Sequence, residues 1–196
     1  MGGFSSEREI SLRSGKNVVQ ILKSGGYEAV GLDVGSDFLT RLKEEKIEIA
    51  FNVLHGEFGE DGKVQAILDF LKIPYTGSGF EASTIGINKI LSKQVVSLYG
   101  VPTASFALLD PNTGFDGIDF NLPWVYKPVD EGSSLGVKLI KTPEDLKSLS
   151  LKKGKSFVEQ FISGAEVTVG VLDTGTEQTV LPVLQLVPKN EFYDFE

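Results

Sequence analysis

The chain has 196 residues, 41% hydrophobic and 23% charged, with a formal net charge of −8. That length and composition suit one large or two small globular domains, and the acidic balance disfavours a broad phosphate-gripping face for nucleic acid. Cysteine is absent, which excludes disulfides, thiolate metal sites and cysteine nucleophiles, and fits a cytoplasmic protein. In chain order, "MGGFSSEREISLRSGKNVVQILKSGGY" predicts a loop, a helix and a stop. Ser5 or Ser6 would cap that helix, with Glu9 completing a capping box, and Gly25-Gly26 would end it. Ile10, Val18, Ile21 and Leu22 form its apolar stripe. "YEAVGLDV" and "IEIAFNVLH" read as strands, "DFLTRLKEEK" and "EDGKVQAILDFLKI" as helices, and "PYTGSG" as a short strand and turn. Alternation of strand and helix predicts parallel βαβ units.

A second region begins near Ala82. "EASTIGINKILSKQVVSLYGVP" predicts one helix broken at Gly100 and Pro102. "TASFALLD", "LPWVYKPV", "GVKLIK", "SFVEQFI", "AEVTVGVLD" and "TVLPVLQLVP" read as strands, and "TPEDLKSLSLKKG" as a helix capped by Thr142. This region is α+β with antiparallel character. No basic stretch followed by an apolar run, and no apolar run of about 18 residues, marks a signal peptide or a membrane span. A glycine-rich loop such as "GGFSSERE" normally follows a strand, and "NEFYDFE" stops without a closing element; both ends are therefore expected to be cut.

Four constellations carry possible chemistry. In "VYKPVDEGSSLGV", Lys127 ends an apolar strand and Gly132, Ser133, Ser134 and Gly136 follow. A phosphate needs positive charge and donors that approach closely. Here the lysine precedes the glycines, unlike a Walker A loop; the alternative is a plain hairpin turn. His55, the only histidine, follows a buried strand, where ligands bind in parallel α/β sheets. It could equally be structural. Asp61 reads better as a helix cap than as a ligand, and metal binding on one histidine and scattered acids is disfavoured. Glu7 opens a helix behind a glycine-rich loop, where it would complement the helix dipole or hold an ammonium group. Glu159 and Glu166 flank a Ser163-Gly164 turn, placed to read a base or ribose or simply exposed on a hairpin.

Together and in this order, "GGFSSEREISLRSG", "LHGEFGEDGKVQAILDFLKIPYTGSG", "NKILSKQ", "PWVYKPVDEGSSLGV", "VEQFISGAEVTVGVL" and "FYDFE" resemble the D-alanine–D-alanine ligase family of the ATP-grasp superfamily. The resemblance covers nearly the whole chain. It implies an α/β N-terminal domain with a parallel, Rossmann-like sheet, followed by an incomplete α+β ATP-grasp region. The divisions expected are 1–85, a substrate-binding domain; 86–160, a central ATP-grasp subdomain; and 161–196, the start of the C-terminal subdomain. It also implies ATP-dependent joining of two D-alanines through an acyl phosphate, for peptidoglycan synthesis in the cytoplasm. Lys89 and Lys127 would contact phosphates, and the loop of Glu131, Ser133 and Ser134 would close over them. Glu159, Gln160, Phe161, Ile162 and Glu166 would hold adenine and ribose, and Phe192 would pack on adenine. Glu7 would bind the ammonium of the first D-alanine and bond with Ser133, and His55 would sit near that substrate's carboxylate. Glu7 and His55 come from the first domain, so the resemblance implies closure of both domains for catalysis.

The family continues past "FYDFE" into a further lysine, tyrosine and arginine, and then to the Asp, Glu and Asn that hold magnesium. The Mg2+ or Mn2+ ligands are therefore expected beyond Glu196, and the chain alone is expected to be inactive. A D-alanine–D-lactate or other carboxylate–amine ligase and a non-catalytic nucleotide-binding fragment are the alternatives. A homodimer is expected from the resemblance only.

Overall fold

The structure is a computed structural model that describes residues 1–132, 135–149, 151 and 154–187. The chain forms two compact units. The first is Met1–Thr103 with Val129–Gly132, and the second is Ala104–Pro128 with Ser133–Glu196.

In the first unit, helix α1 (Arg8–Ser24) starts later than its capping signal suggests. Glu7 occupies the N-cap without a side-chain cap bond. Ser5 is committed elsewhere: its hydroxyl accepts from the Glu7 amide at 3.2 Å and donates to the His55 carbonyl at 2.6 Å. Gly25 and Gly26 end the helix as expected, Gly26 with φ +86°. The packing face differs from the expected apolar stripe. Ser11 and Gly15 are the buried positions of α1, whereas Ile21 is 69% exposed. Close approach explains this, since a Cβ on Gly15 would lie 2.4 Å from the Met1 Cβ.

The segments 27–34 and 47–55 do not form the expected strands. Their pairing is limited to the parallel bridges Gly2↔Val34 and Ala50↔Tyr75. Side chains take the hydrogen bonds that a ladder would otherwise make. The Ser11 hydroxyl, fully buried, accepts from the Gly2 amide at 2.9 Å and donates to the Val53 carbonyl at 2.7 Å. The Asn52 amide donates to the Thr76 hydroxyl at 3.2 Å.

Helices α2 (Phe38–Glu44) and α3 (Lys63–Leu71) pack on a core of Val34, Phe38, Leu42, Leu54, Val64 and Leu68. Each such burial stabilises by about 1.5–3 kcal/mol before entropy is counted. Gly62 begins α3 at φ +91°, and a Cβ there would meet the Thr84 hydroxyl at 2.2 Å. A cavity of about 670 Å3 lies among Val18, Leu22, Val30, Ile49 and Phe51, away from the polar groups described below.

The long helix expected from Glu81 onward is two helices, α4 (Phe80–Ile87) and α5 (Lys89–Leu98). Asn88 makes the break. Its backbone is extended and its side chain accepts from the amides of Ile90 and Leu91 at 3.1 Å, an N-cap that restarts the helix at Lys89.

In the second unit, β1 (Phe106–Leu108), β2 (Trp124–Pro128), β3 (Lys138–Ile140) and β4 (Ser156–Gln160) form one antiparallel sheet, ordered β1-β4-β2-β3. Leu109, Trp124, Ile140 and Val158 build the core against this sheet. The Trp124 indole donates to the Phe120 carbonyl at 3.0 Å, which satisfies its one polar atom.

The expected helix after Thr142 is a single 3-10 turn, Asp145–Ser148. Thr142 does not cap it. Instead the Asp145 carboxylate accepts from the Lys141 and Thr142 amides at 2.9 Å and from the Thr142 hydroxyl at 3.3 Å. The single strand expected in "AEVTVGVLD" is split. β5 (Glu166–Thr168) pairs with β8 (Leu184–Leu186), while β6 (Val171–Asp173) pairs with β7 (Gln178–Val180). The chain changes partner at Val169-Gly170, where glycine loosens strand continuity. Among the described residues no helix is long and apolar enough to cross a membrane.

Candidate functional site

The polar residues singled out by the sequence gather separately within each unit. In the first, Glu7 stands at the start of α1 and its carboxylate lies against Gly56. Gly56 has φ +67°, and a Cβ there would come within 3.1 Å of Glu7 Oε2 and of the Ser5 Cβ. Glycine is thus required twice over, by its backbone and by the closeness of the acid. Gly132 also borders Glu7, its added Cβ falling 3.9 Å from Oε2.

His55 precedes Gly56. Its Nδ1 lies 3.7 Å from Glu60 Oε1, and Glu60 Oε2 accepts from the Gly56 amide at 3.0 Å. The turn is therefore held from both sides, by Ser5 on the His55 carbonyl and by Glu60 on the next amide.

Sequence reasoning missed an ion pair that ties the start of α1 to Asp33 and Gly3. Arg8 grips Asp33 with two nitrogens, at 2.8 and 2.5 Å, and donates to the Gly3 carbonyl at 3.0 Å. The Arg8 hydrogen bonds hold the Asp33 carboxyl below the usual carboxylate range. Nothing in the local pattern links residues 25 positions apart, so only the fold reveals the pair. Asp61 has the structural place expected of it. It accepts from the amides of Phe58 at 2.9 Å and Lys63 at 3.1 Å and pairs with the Lys63 ammonium at 2.9 Å. Burial pushes the Asp61 carboxyl up, but Lys63 and the two amides outweigh it and the net direction is down. Glu57 also pairs with Lys63, at 3.0 Å, rather than with His55.

Lys89 is the first residue of α5. Its amide donates to the Val129 carbonyl at 3.0 Å, and its ammonium donates to the Glu131 carbonyl. The segment that follows β2 is thereby tied to the start of α5. Ser133, Ser134 and Phe192 lie outside the described residues.

In the second unit Lys127 lies on β2 and Glu159 on β4. The register pairs Lys127 with Phe157 and Val125 with Glu159, which puts the lysine and the acid diagonally on one face. Lys127 Nζ lies 2.5 Å from Glu159 Oε1, with side chains 29% and 12% exposed. The edge beyond Glu159 is also ordered: the Gln160 amide donates to Ser105 at 2.9 Å and the Phe161 amide to Pro123 at 3.0 Å. Ile162 and Glu166 are exposed, Glu166 standing opposite Leu186 in β5. No group of three or more histidines, aspartates or glutamates among the described residues would hold a metal ion. Among the described residues, no side-chain group forms a site for the divalent cation that the resemblance implies.

A family model for the D-ala D-ala ligase N-terminus matches residues 35–78, and one for the D-ala D-ala ligase C-terminus matches residues 95–196. These matches, with the antiparallel sheet of the second unit, define the class, an ATP-grasp-type architecture. The chain belongs to the D-alanine–D-alanine ligase family. It is 44% identical to the D-alanine–D-alanine ligase of Geobacter sulfurreducens over 202 residues, covering all of this chain and 63% of that protein. It is 45% identical to the D-alanine–D-alanine ligase of Neisseria gonorrhoeae, covering 100% of this chain and 65% of that protein. The structure of the Bacillus anthracis D-alanine–D-alanine ligase complexed with ATP superposes with a TM-score of 0.76 at 29% identity, covering 98% of this chain and 66% of that one. The chain therefore spans less than two thirds of the length of the curated relatives it matches.

Proposed function

We propose that the protein joins two D-alanines at the expense of ATP. The observation that carries this reading is the Glu7 carboxylate set against Gly56, the residue after His55. Membership of the ligase family supports it. In this reading Glu7 holds the ammonium of the first D-alanine, and His55 stands near its carboxylate. That carboxylate attacks the γ-phosphorus of ATP, ADP departs, and an acyl phosphate forms. The amine of the second D-alanine, having lost a proton, attacks the acyl carbon and phosphate leaves. Lys89 and Lys127 neutralise phosphate charge as the γ-phosphoryl moves. Glu131, Ser133 and Ser134 form a loop that keeps water from the acyl phosphate.

Glu159 to Ile162, Glu166 and Phe192 grip adenine and ribose. A divalent cation, Mg2+ or Mn2+, accompanies ATP, and no step here is routed through it. The same reading includes a Rossmann-like parallel sheet in the first domain, supported by the two parallel bridges, and the division 1–85, 86–160 and 161–196. It also includes a homodimer working in the cytoplasm on peptidoglycan precursors.

The test is phosphate release from ATP by the gene product carrying this sequence, with and without D-alanine. Release that depends on D-alanine, and that falls about a hundredfold in Glu7→Gln, is expected. Release indifferent to D-alanine would overturn the reading.

A further inference from the structure

The turn that sets Gly56 against Glu7 is strained at one residue and gripped at the next. Phe58 stands in the left-handed region at φ +73°, which a bulky side chain disfavours. Such a conformation persists only where its neighbours fix it. Gly59 then passes so closely over Leu54 that an added Cβ would lie 2.2 Å from the Leu54 Cβ. Two side-chain amides converge on the Gly59 carbonyl: Gln65 Nε2, from the start of α3, at 2.8 Å, and Asn52 Nδ2 at 3.0 Å. The Gly59 carbonyl and the Glu60 amide belong to one planar peptide unit. Its oxygen end is held by Gln65 and Asn52, and its nitrogen end donates to the Gly56 carbonyl at 3.0 Å. The Glu60 carboxylate closes the circuit by accepting from the Gly56 amide at 3.0 Å.

Gln65 is a poor stabiliser on its own account. It is 4% exposed, and its Oε1 is buried without a hydrogen-bond partner. An unpaired polar atom in such a place lowers stability. Without Gln65, the Gly59 carbonyl would still have Asn52. Fold stability therefore gives little reason for glutamine here, whereas a fixed orientation of the Gly59–Glu60 peptide does.

We propose that Gln65 is a positioning residue for the amino-acid site. Acting through the Gly59–Glu60 peptide, it fixes Gly56 relative to the Glu7 carboxylate and so fixes where a substrate ammonium is held. The proposal deepens, and rests on, the reading that Glu7 holds the first D-alanine. In Gln65→Met the side chain keeps its length and burial, loses its donor and leaves no buried carbonyl orphaned. The turn then samples further positions, and D-alanine binds only the fraction in the wild-type one, so its apparent affinity falls by that fraction.

The experiment measures D-alanine-dependent phosphate release from ATP by the gene product carrying this sequence, for wild type and Gln65→Met, together with thermal melting. The KM for the first D-alanine is expected to rise about tenfold, with the KM for ATP changed by no more than about twofold and kcat by no more than about threefold. The Tm should stay within about 3 °C. A residue that serves only the fold would lower the folded fraction, and with it kcat, and leave both KM values alone; that result overturns the proposal. So would an unchanged KM for D-alanine, or an equal rise in both KM values. Wild-type release indifferent to D-alanine would defeat the underlying reading of the site, and it shows before any variant is compared. If Gln65→Met does not fold, Asn52→Asp decides the matter. That variant keeps the acceptor that Asn52 offers the Leu54 amide at 3.1 Å and loses the donor to Gly59. A rise confined to the KM for D-alanine is expected, and an unchanged value contradicts the proposal.

Discussion

The two units hold their charged groups by different means. In the first, Glu7 and His55 stand on loops, and side-chain hydroxyls fasten those loops: Ser5 to the His55 carbonyl, Ser11 between Gly2 and Val53. In the second, Lys127 and Glu159 are brought together by strand register, on a sheet whose other face carries Trp124, Ile140 and Val158. A loop site depends on a few discrete hydrogen bonds. A sheet site depends on the whole ladder and the core beneath it. The first should therefore fail locally and the second globally.

The sharpest break in the comparison is Phe157→Ala. Phe157 is fully buried and stands opposite Lys127 in the β2–β4 register. Its loss is expected to cost about 3–5 kcal/mol, measured by denaturant unfolding followed through Trp124 fluorescence. A cost below about 1 kcal/mol would show that the ladder does not hold this site. Next comes Ser11→Ala, which leaves the Gly2 amide and the Val53 carbonyl without their buried partner. We expect about 1–3 kcal/mol, with faster amide hydrogen exchange confined to the residues near Gly2 and Val53. Uniform acceleration across both units would contradict the local character of the staple.

Acid sharpens the comparison further. Asp33 and Asp61, both in the first unit, have carboxyls held below the usual range, Asp33 chiefly by Arg8 and Asp61 by Lys63 and amides against the opposing effect of burial. A depressed folded value means that the stabilisation is complete above the unfolded carboxyl value of about 3.9. It is lost as pH falls through the folded value. Melting followed from pH 7 to pH 3 should show a decline below about pH 4 that Asp61→Asn flattens. A variant with an unaltered slope would remove Asp61 from the account. The smallest effect is expected at the exposed pair Arg41–Glu45, 3.6 Å apart, where Arg41→Ala should change stability by no more than about 0.5 kcal/mol.

Much of the second unit was legible in the sequence because antiparallel strands with a covered face alternate plainly, and β1 to β4 fall inside the segments expected. The charge of Lys127 at the end of an apolar run was legible too. Its partner was not assigned, because register between strands 30 residues apart is a property of the fold. The strand across Val169-Gly170 misled for a different reason. Residues on both sides have the same β character, and only pairing shows that β5 and β6 take different partners. In the first unit the signals were real but were spent elsewhere. Ser5 looked like a helix cap and serves His55, while Ser11, which the sequence did not single out, links Gly2 to Val53. Asn88 hid a helix break because the helical pattern resumes at once in α5. Local propensity says what a serine or asparagine is able to do, and tertiary neighbours decide which option is taken.

The central claim is that the first unit carries the amino-acid grip and the second carries a phosphate-binding lysine. It is tested most directly by cross-titration of D-alanine and ATP against Glu7→Gln and Lys127→Ala. The account predicts that Glu7→Gln loses D-alanine binding by at least about tenfold and keeps ATP, while Lys127→Ala weakens ATP by about tenfold and keeps D-alanine. Both ligands falling together in either variant, or neither falling in both, would contradict it.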